Sequence, residues 1–215
     1  MVMYWALFMN TLSNASAEHA PQGGANVAAL ISALKKILPA SSVILSTESQ
    51  RPFECDGLAV YQQLPLVTVI PENVNQVQAI LRLCHLHRVP LVPRGAGTGL
   101  CAGAMPHAEG VLLVMTKLNQ ILHINRDTCT ARVQPGVRNL ALTEAVAPFG
   151  LYYAPDPSSQ IACTIGGNVA ENSGGVHCLK YGLTVNNLLQ VTMVTIDGQL
   201  ITLGGEGLDE PGMDL

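Results

Sequence analysis

The sequence predicts an α+β fold in which a small parallel strand–helix–strand subdomain precedes a larger subdomain built on a mixed or antiparallel sheet. The first subdomain is indicated by two short apolar runs, residues 66–70 and 89–92, on either side of a helical pattern. A crossover of this kind predicts that its two strands form a parallel pair. The second subdomain is indicated by strand-like runs that include a hairpin signal, Asp197-Gly198.

The composition is that of a compact folded protein, and it excludes several classes of partner. Apolar residues make up 48% of the 215-residue chain and charged residues only 12%, unlike a disordered chain. The net charge of −4 and the scattered basic residues argue against nucleic-acid binding. No apolar run is long enough to span a bilayer, so we expect no transmembrane segment. Six widely spaced cysteines without a C-x-x-C pair predict reduced thiols, no metal site and a cytoplasmic protein.

The chain divides into a short N-terminal part and one main domain. We expect residues 1–25 to be a poorly ordered leader and residues 26–63 to be an N-terminal helical segment. The main domain is predicted to span residues 64–215, with its first subdomain at 64–118 and its second at 119–215. Because the sequence stops without an obvious closing element, we expect the second subdomain to be truncated at its C-terminal end.

The remaining elements follow from local signals. Asn73 is placed to cap a helix whose apolar residues recur on one face as far as Cys84. Residues 111–115 form a fully apolar strand-like run, and residues 131–134 alternate as a half-exposed strand does. Residues 138–147 have the pattern of a short helix.

A first glycine-rich segment, PRGAGTGLCAGA at residues 93–104, follows directly on a predicted strand. Glycines let backbone N–H groups approach a phosphate closely, and Arg94 adds a positive charge. The segment lacks the lysine of a P-loop, and Leu100 or Ala102 stands where a dinucleotide fingerprint needs its third glycine. It therefore indicates a phosphate site of another kind, with a glycine-rich turn that binds nothing as the alternative.

A second segment combines PDPSSQ at residues 155–160 with TIGGNVAENSGG at residues 164–175. Its glycines, asparagines and hydroxyl residues predict an irregular loop rather than a helix or strand. Apolar residues are interleaved with them, which favours a loop buried against a ligand or the core over a plain surface loop. Two such segments, far apart in the chain, indicate a ligand long enough to touch both.

Taken together, these segments resemble the FAD-binding domain of the vanillyl-alcohol oxidase flavoprotein family. Further stretches, GVLLVMTKLNQIL, ARVQPGVRNLAL and GGVHCLKYGLT, are similar to the 2-hydroxy-acid dehydrogenases of glycolate oxidase type within it. The resemblance implies that FAD is the cofactor. It is implied to be non-covalent, because Thr98 stands near the place where members with covalent FAD carry a histidine. Ala102 departs from the glycine usual at that position, which could weaken flavin binding.

The resemblance also implies which residues contact the cofactor. The first loop is expected on the FAD diphosphate, the second segment beside the ribityl chain and the flavin ring, and a turn at Pro135 and Gly136 near the flavin. The residues implied are Pro93, Arg94, Gly95, Ala96, Gly97, Thr98, Gly99, Leu100, Gly103, Pro135, Gly136, Pro155, Asp156, Ser159, Thr164, Gly166, Gly167, Asn168, Ala170, Asn172 and Gly175.

The function implied is oxidation of glycolate to glyoxylate by hydride transfer to FAD, with electrons leaving through partner subunits. Those subunits would hold a cytoplasmic protein at the periphery of the inner membrane. Relatives carry a further substrate-binding cap domain that we expect to be absent from this chain. No catalytic acid–base residue is assigned, since His85, His87 and His177 are unconvincing substitutes. Two alternatives stay open: a non-catalytic flavin-binding fragment or split-gene module that needs a partner, and a fragment of D-lactate or 2-hydroxyglutarate dehydrogenase type.

Overall fold

A computed structural model of the chain describes residues 4–6 and 25–205. The strands are β1 Tyr4–Ala6, β2 Val43–Ile44, β3 Val67–Val69, β4 Leu91–Arg94, β5 Val111–Val114, β6 Ile121–Asn125, β7 Thr130–Val133, β8 Gln190–Val194 and β9 Leu200–Gly204. The helices are α1 Ala25–Ile37, α2 Thr47–Gln50, α3 Val74–His87, α4 Asn139–Val146, α5 Ile165–Glu171 and α6 Cys178–Tyr181. The described helices and strands alternate as far as β4, after which β4–β7 and then α4–α6 follow one another in the chain, with single 3-10 turns at residues 40–42, 51–53, 147–149 and 184–187.

The first subdomain is built on a sheet with the strand order β2-β3-β5-β4. Strands β3 and β4 flank α3 in the chain, as expected, but the prediction that they pair with each other is wrong. Each is instead parallel to β5, which lies between them. All four residues of β5 are buried, and a strand that is apolar on both faces belongs at the centre of a covered sheet. Strand β2 adds to the sheet as an antiparallel edge.

Helices α1 and α3 pack together over this sheet. The Asn73 side chain accepts a hydrogen bond from the backbone N–H of Gln76, so it caps α3 as the sequence predicts. Leu30 and Leu34 of α1 share one apolar core with Ile80 and Leu81 of α3. The part of residues 26–63 that forms α1 and β2 therefore belongs to the core and sheet of the first subdomain.

The second subdomain contains the two-stranded β6-β7 ribbon and the sheet β1-β8-β9. Strands β8 and β9 form the predicted hairpin, whose turn has a left-handed Gly198 with φ of 78°. Helix α3 of the first subdomain holds this turn, because Gln78 Nε2 and Arg82 Nη2 both donate hydrogen bonds to the Gly198 carbonyl, at 2.9 and 2.8 Å. These contacts join the two subdomains.

The two ends of the chain are only partly described. Tyr4–Ala6 forms β1, parallel to β8, and the poorly ordered leader expected at residues 1–25 stays a prediction. Residues 1–3, 7–24 and 206–215 lie outside the described part, and with them the rest of the leader and the expected truncated end. Among the described helices, none combines the length and apolar character needed to cross a membrane.

Candidate functional site

The first glycine-rich segment leaves the end of β4 and turns back over the first subdomain. Residues 95–99 are half-buried, whereas Leu100 and Gly103 are exposed. The backbone is left-handed at Gly97, with φ of 71°, and at Ala102, with φ of 63°. The Gly99 carbonyl accepts a hydrogen bond from the Gly57 N–H at 2.9 Å, which ties the loop to the N-terminal segment.

Arg94 lies beneath this loop and is only 7% exposed. Its Nη1 donates hydrogen bonds to the carbonyls of Cys55, at 2.7 Å, and Ala104, at 3.3 Å. Burial lowers the pKa of the guanidinium, although the nearby Cys55 and Asp56 act in the opposite direction. Arg94 therefore connects the loop to the N-terminal segment through hydrogen bonds and places a buried positive charge next to the loop.

Asp56 supports the same loop and was not found by sequence reasoning. The carboxylate is buried, with Oδ2 accepting from the Ala102 N–H at 2.8 Å and Oδ1 from the Leu58 N–H at 2.9 Å. Its signal in the sequence is an isolated Asp-Gly pair, Asp56-Gly57, which by itself indicates only a turn.

The prediction that the second glycine-rich segment is an irregular loop is wrong for residues 165–171, which form the helix α5. Thr164 caps the helix by accepting a hydrogen bond from the Gly167 N–H at 3.3 Å. Ile165 and Val169, spaced i and i+4, pack into the core of the second subdomain. Capping and burial on one face outweigh the low helix propensity of the two glycines.

The structure brings three predicted segments together at α5. Gly95 lies so close to Thr164 that a Cβ on Gly95 would overlap the Thr164 Oγ1. The Gly166 N–H donates to the Pro135 carbonyl at 2.8 Å, and a Cβ on Gly166 would lie 2.7 Å from Pro135 Cβ. The phosphate loop, the 135–136 turn and the start of α5 therefore form one continuous surface.

A cavity of about 370 Å³ opens where these segments meet. Its lining includes Ala96 of the first loop, Gly136 and Thr164, which the sequence singled out. It also includes residues that sequence reasoning missed: Thr116, Asn119, Ile121, Val137, Arg138, Ala141 and Ala162. All but Ala162 lie in the stretches at residues 110–122 and 131–142, whose resemblance to the family did not single these residues out, so only the fold identifies them as cavity lining.

The other predicted residues of the second segment differ in burial and in their hydrogen bonds. Asn168 is 1% exposed, and its Nδ2 has no hydrogen-bond partner among the described residues. Asn172 uses its Oδ1 to accept from the Val185 N–H at 3.0 Å, which is a structural contact. Of the remaining predicted residues, Pro155 is buried, Ser159, Gly167 and Gly175 are half-buried and Ala170 is exposed.

His177 is paired with Asp156 rather than isolated. Its Nδ1 lies 2.6 Å from Asp156 Oδ2, and its backbone N–H donates to Oδ1 at 3.3 Å. Partial burial acts to raise the pKa of Asp156, but the hydrogen bonds from His177 outweigh it, so the pKa is below its ordinary value. His85 and His87 lie at the end of α3, away from these segments in the chain, and His87 contacts Asn26.

The surface fits a dinucleotide cofactor in two respects. The glycine-lined loop provides backbone N–H groups over a buried cation, as a diphosphate requires. The unpaired Asn168 Nδ2 is a buried donor in the same segment, and such donors normally have a partner. Among residues 26–205, no cluster of His, Cys, Asp and Glu is suited to a metal ion.

Comparisons with known proteins agree with this geometry. The chain is 59% identical to glycolate oxidase subunit GlcD of Escherichia coli strain K12 over 86% of its length. It is 35% identical to a D-lactate dehydrogenase of Anaerostipes hadrus over 81%. It covers only 37% of the length of each of these relatives.

Solved structures share the fold, and a family model identifies it. A p-cresol methylhydroxylase with substrate bound superposes with a TM-score of 0.71, at 18% identity, over 84% of this chain and 36% of that one. The fold is thus that of the vanillyl-alcohol oxidase and p-cresol methylhydroxylase type. The model of the FAD binding domain family matches residues 65–204. FAD is therefore the cofactor indicated, and the chain belongs to the FAD binding domain family.

Proposed function

We propose that this chain is the FAD-binding domain of a flavin-dependent 2-hydroxy-acid dehydrogenase of glycolate oxidase type, which oxidises glycolate to glyoxylate. The observation that carries the proposal is the packing of the loop at 95–103 onto α5, with Gly95 too close to Thr164 for a side chain. The 59% identity to a glycolate oxidase subunit supports the substrate class.

The residues of this chain bind and orient the cofactor in this proposal. The N–H groups of the loop bind the diphosphate. Arg94 supplies a buried positive charge beside the loop, and Asp56 fixes the loop conformation through its hydrogen bonds to the backbone. When bound, FAD supplies the electron-accepting chemistry by which a 2-hydroxy acid becomes a 2-oxo acid. Binding is non-covalent, since Thr98 offers no nucleophilic imidazole in the first loop. The remaining contacts are those expected from the sequence at Pro93, Ala96, Gly97, Gly99, Leu100, Gly103, Pro135, Gly136, Pro155, Asp156, Ser159, Thr164, Gly166, Gly167, Asn168, Ala170, Asn172 and Gly175.

We propose that substrate binding and electron transfer need further protein besides this chain. The relatives are much longer, and no catalytic acid–base residue is assigned here. Val176 and Leu179 are 87% and 99% exposed, as apolar residues are where further protein packs. A relative named as a subunit supports electron transfer to partner subunits. The unpaired state of all six cysteines supports a cytoplasmic protein, peripheral to the inner membrane through those partners.

Two other functions are outcomes of the same tests. D-lactate or 2-hydroxyglutarate as substrate is supported by relatives of lower identity, 35% and 39% for two D-lactate dehydrogenases and 36% for a D-2-hydroxyglutarate dehydrogenase. The second alternative is that the chain is a non-catalytic flavin-binding module. In a protein extended to the length of the relatives, anaerobic bleaching of the flavin by glycolate is expected. Bleaching by D-lactate or 2-hydroxyglutarate alone would favour the first alternative, and bleaching by none of the three the second.

The direct test is the visible spectrum of the purified chain with and without added FAD. We expect flavin bands that stay with the protein through gel filtration and leave with the supernatant after acid precipitation. Flavin that stays in the acid pellet would contradict non-covalent binding. A chain that stays colourless with excess FAD would contradict the proposal itself.

A further inference from the structure

Glu171, which no prediction included, reaches the rim of the phosphate loop from the end of α5. The thiol of Cys101 lies 3.3 Å from its Oε1 and 3.1 Å from its Oε2, as hydrogen-bond donor. The carboxylate also lies against two loop glycines, because a Cβ on Gly99 or Gly103 would be 3.3 or 3.2 Å from Oε1. The Glu171 carboxylate thus occupies part of the space that side chains at Gly99 and Gly103 would take.

The position of Glu171 is not explained by the stability of its own helix. It is the last residue of α5, where the exposed helix carbonyls make a negative charge unfavourable. Within residues 26–205, no Lys, Arg or His forms an ion pair with this carboxylate. Arg94, the cation of the loop, donates its hydrogen bonds to the carbonyls of Cys55 and Ala104.

A carboxylate at this rim disfavours the binding of a second anion at the same loop. Carboxylate and phosphate oxygens are both hydrogen-bond acceptors, so they suit the same donors. Two negative charges a few ångströms apart repel each other even at the exposed position of Glu171, where solvent reduces the repulsion to about 1 kcal/mol. We propose that Glu171 is an internal anion that competes with the diphosphate of FAD, so that cofactor loading requires its displacement. The inference rests on the proposed function, in which this loop binds the FAD diphosphate.

Glu171 therefore determines affinity for the phosphate-bearing part of the cofactor and not for the flavin ring. The isosteric change Glu171→Gln removes the charge and keeps the side-chain volume. Glu144→Gln is the matched control, because Glu144 is exposed on α4, outside the contacting segments. Riboflavin, which has the ring and the ribityl chain without phosphate, separates the two parts of the ligand.

The first readout is binding of FAD and of riboflavin to the full chain, followed by flavin fluorescence. In the Glu171→Gln variant we expect FAD to bind about five- to tenfold more tightly, and riboflavin to bind as in the unchanged chain. Glu144→Gln should leave both affinities unchanged. Weaker or equal FAD binding in Glu171→Gln would overturn the proposal, as would an equal gain for riboflavin.

The second readout needs no flavin. Iodoacetamide alkylation of Cys101, followed by peptide mass spectrometry with the exposed Cys129 as internal reference, reports the thiol–carboxylate contact. The neutral amide of Glu171→Gln accepts the hydrogen bond of the thiol more weakly than the carboxylate does, which leaves the sulfur freer to react, so we expect Cys101 to react about threefold faster in this variant. An unchanged rate would overturn the inference even where FAD binds. Failure of FAD to bind all three proteins would overturn the proposed function, and these rates would still show whether the contact exists.

Discussion

Asp56 holds the backbone of Ala102 in a left-handed conformation. Its Oδ2 accepts a hydrogen bond from the Ala102 N–H at 2.8 Å, and Ala102 has φ of 63°. The other oxygen binds the Leu58 N–H at 2.9 Å, so one buried carboxylate fixes two backbone segments. The loop expected to bind phosphate is therefore shaped by an acidic residue behind it.

Replacement of Asp56 by Asn should destabilise the fold. The amide has one acceptor oxygen, so its NH₂ group must face one of the two backbone N–H donors and leave that donor unpaired. The expected loss is about 1–3 kcal/mol in the free energy of unfolding, measured by urea denaturation. Asp127→Asn, at an exposed turn residue between β6 and β7, should have no comparable effect. Equal stability of the two variants would contradict a supporting role for Asp56.

Replacement of Ala102 by Gly should stabilise the loop. A left-handed conformation costs an alanine on the order of 1 kcal/mol more than a glycine. The gain is partly offset by the greater freedom of glycine in the unfolded chain. We expect a rise of about 2 °C in the melting temperature and tighter FAD binding. Ala147→Gly, at an exposed αR residue with φ of −54°, should lower the melting temperature instead. A fall for both variants would show that Ala102 is not strained.

The contact between Gly95 and Thr164 predicts coupled mutations. Gly95→Ala should cost about 1–3 kcal/mol, because its Cβ overlaps the Thr164 Oγ1. Thr164→Ala should cost about 1 kcal/mol through the lost helix cap. Because the hydroxyl is absent from the double variant, its loss should be smaller than the sum of the two by at least about 1 kcal/mol. Unfolding free energies of the four proteins give the coupling, and additive losses would refute the close approach.

Local patterns predicted the elements that depend on neighbours in the chain. The Asn73 cap, helix α3 and the Asp197-Gly198 hairpin all follow from residues within one element or turn. The insertion of β5 between β3 and β4 does not, because it depends on which apolar strand is covered on both faces. Strand order is a property of the whole sheet, and the crossover pattern alone leaves it open.

The candidate site shows the same division. Glycine content marked the two segments that meet at Gly95 and Thr164, since only glycine permits such an approach. It also gave the wrong secondary structure for residues 165–171, because the Thr164 cap and the buried Ile165 decide in favour of helix. Asp56 and Glu171 were missed because a single carboxylate has no sequence pattern until the fold places it at a loop.

The pairing of Asp156 with His177 predicts how stability changes with pH. The pKa of Asp156 is below its ordinary value, because the hydrogen bonds from His177 outweigh the opposing effect of burial. The folded state therefore binds the proton less readily than the unfolded state. The resulting stabilisation is present above the ordinary pKa and is lost as the pH falls below about 4, through the lowered folded value.

Replacement of Asp156 by Asn should remove this pH dependence. His177 is 57% exposed, so solvent screens the pair and the effect at pH 6 should be under about 1 kcal/mol. We expect the difference in unfolding free energy between the unchanged chain and Asp156→Asn to shrink between pH 6 and pH 3, because the protonated Asp156 no longer carries the charge that the variant lacks. Urea denaturation at both pH values measures it, and Asp127→Asn should show no such change. A difference that stays constant between the two pH values would mean that the charge of Asp156 contributes nothing, and that the contact with His177 is only a neutral hydrogen bond.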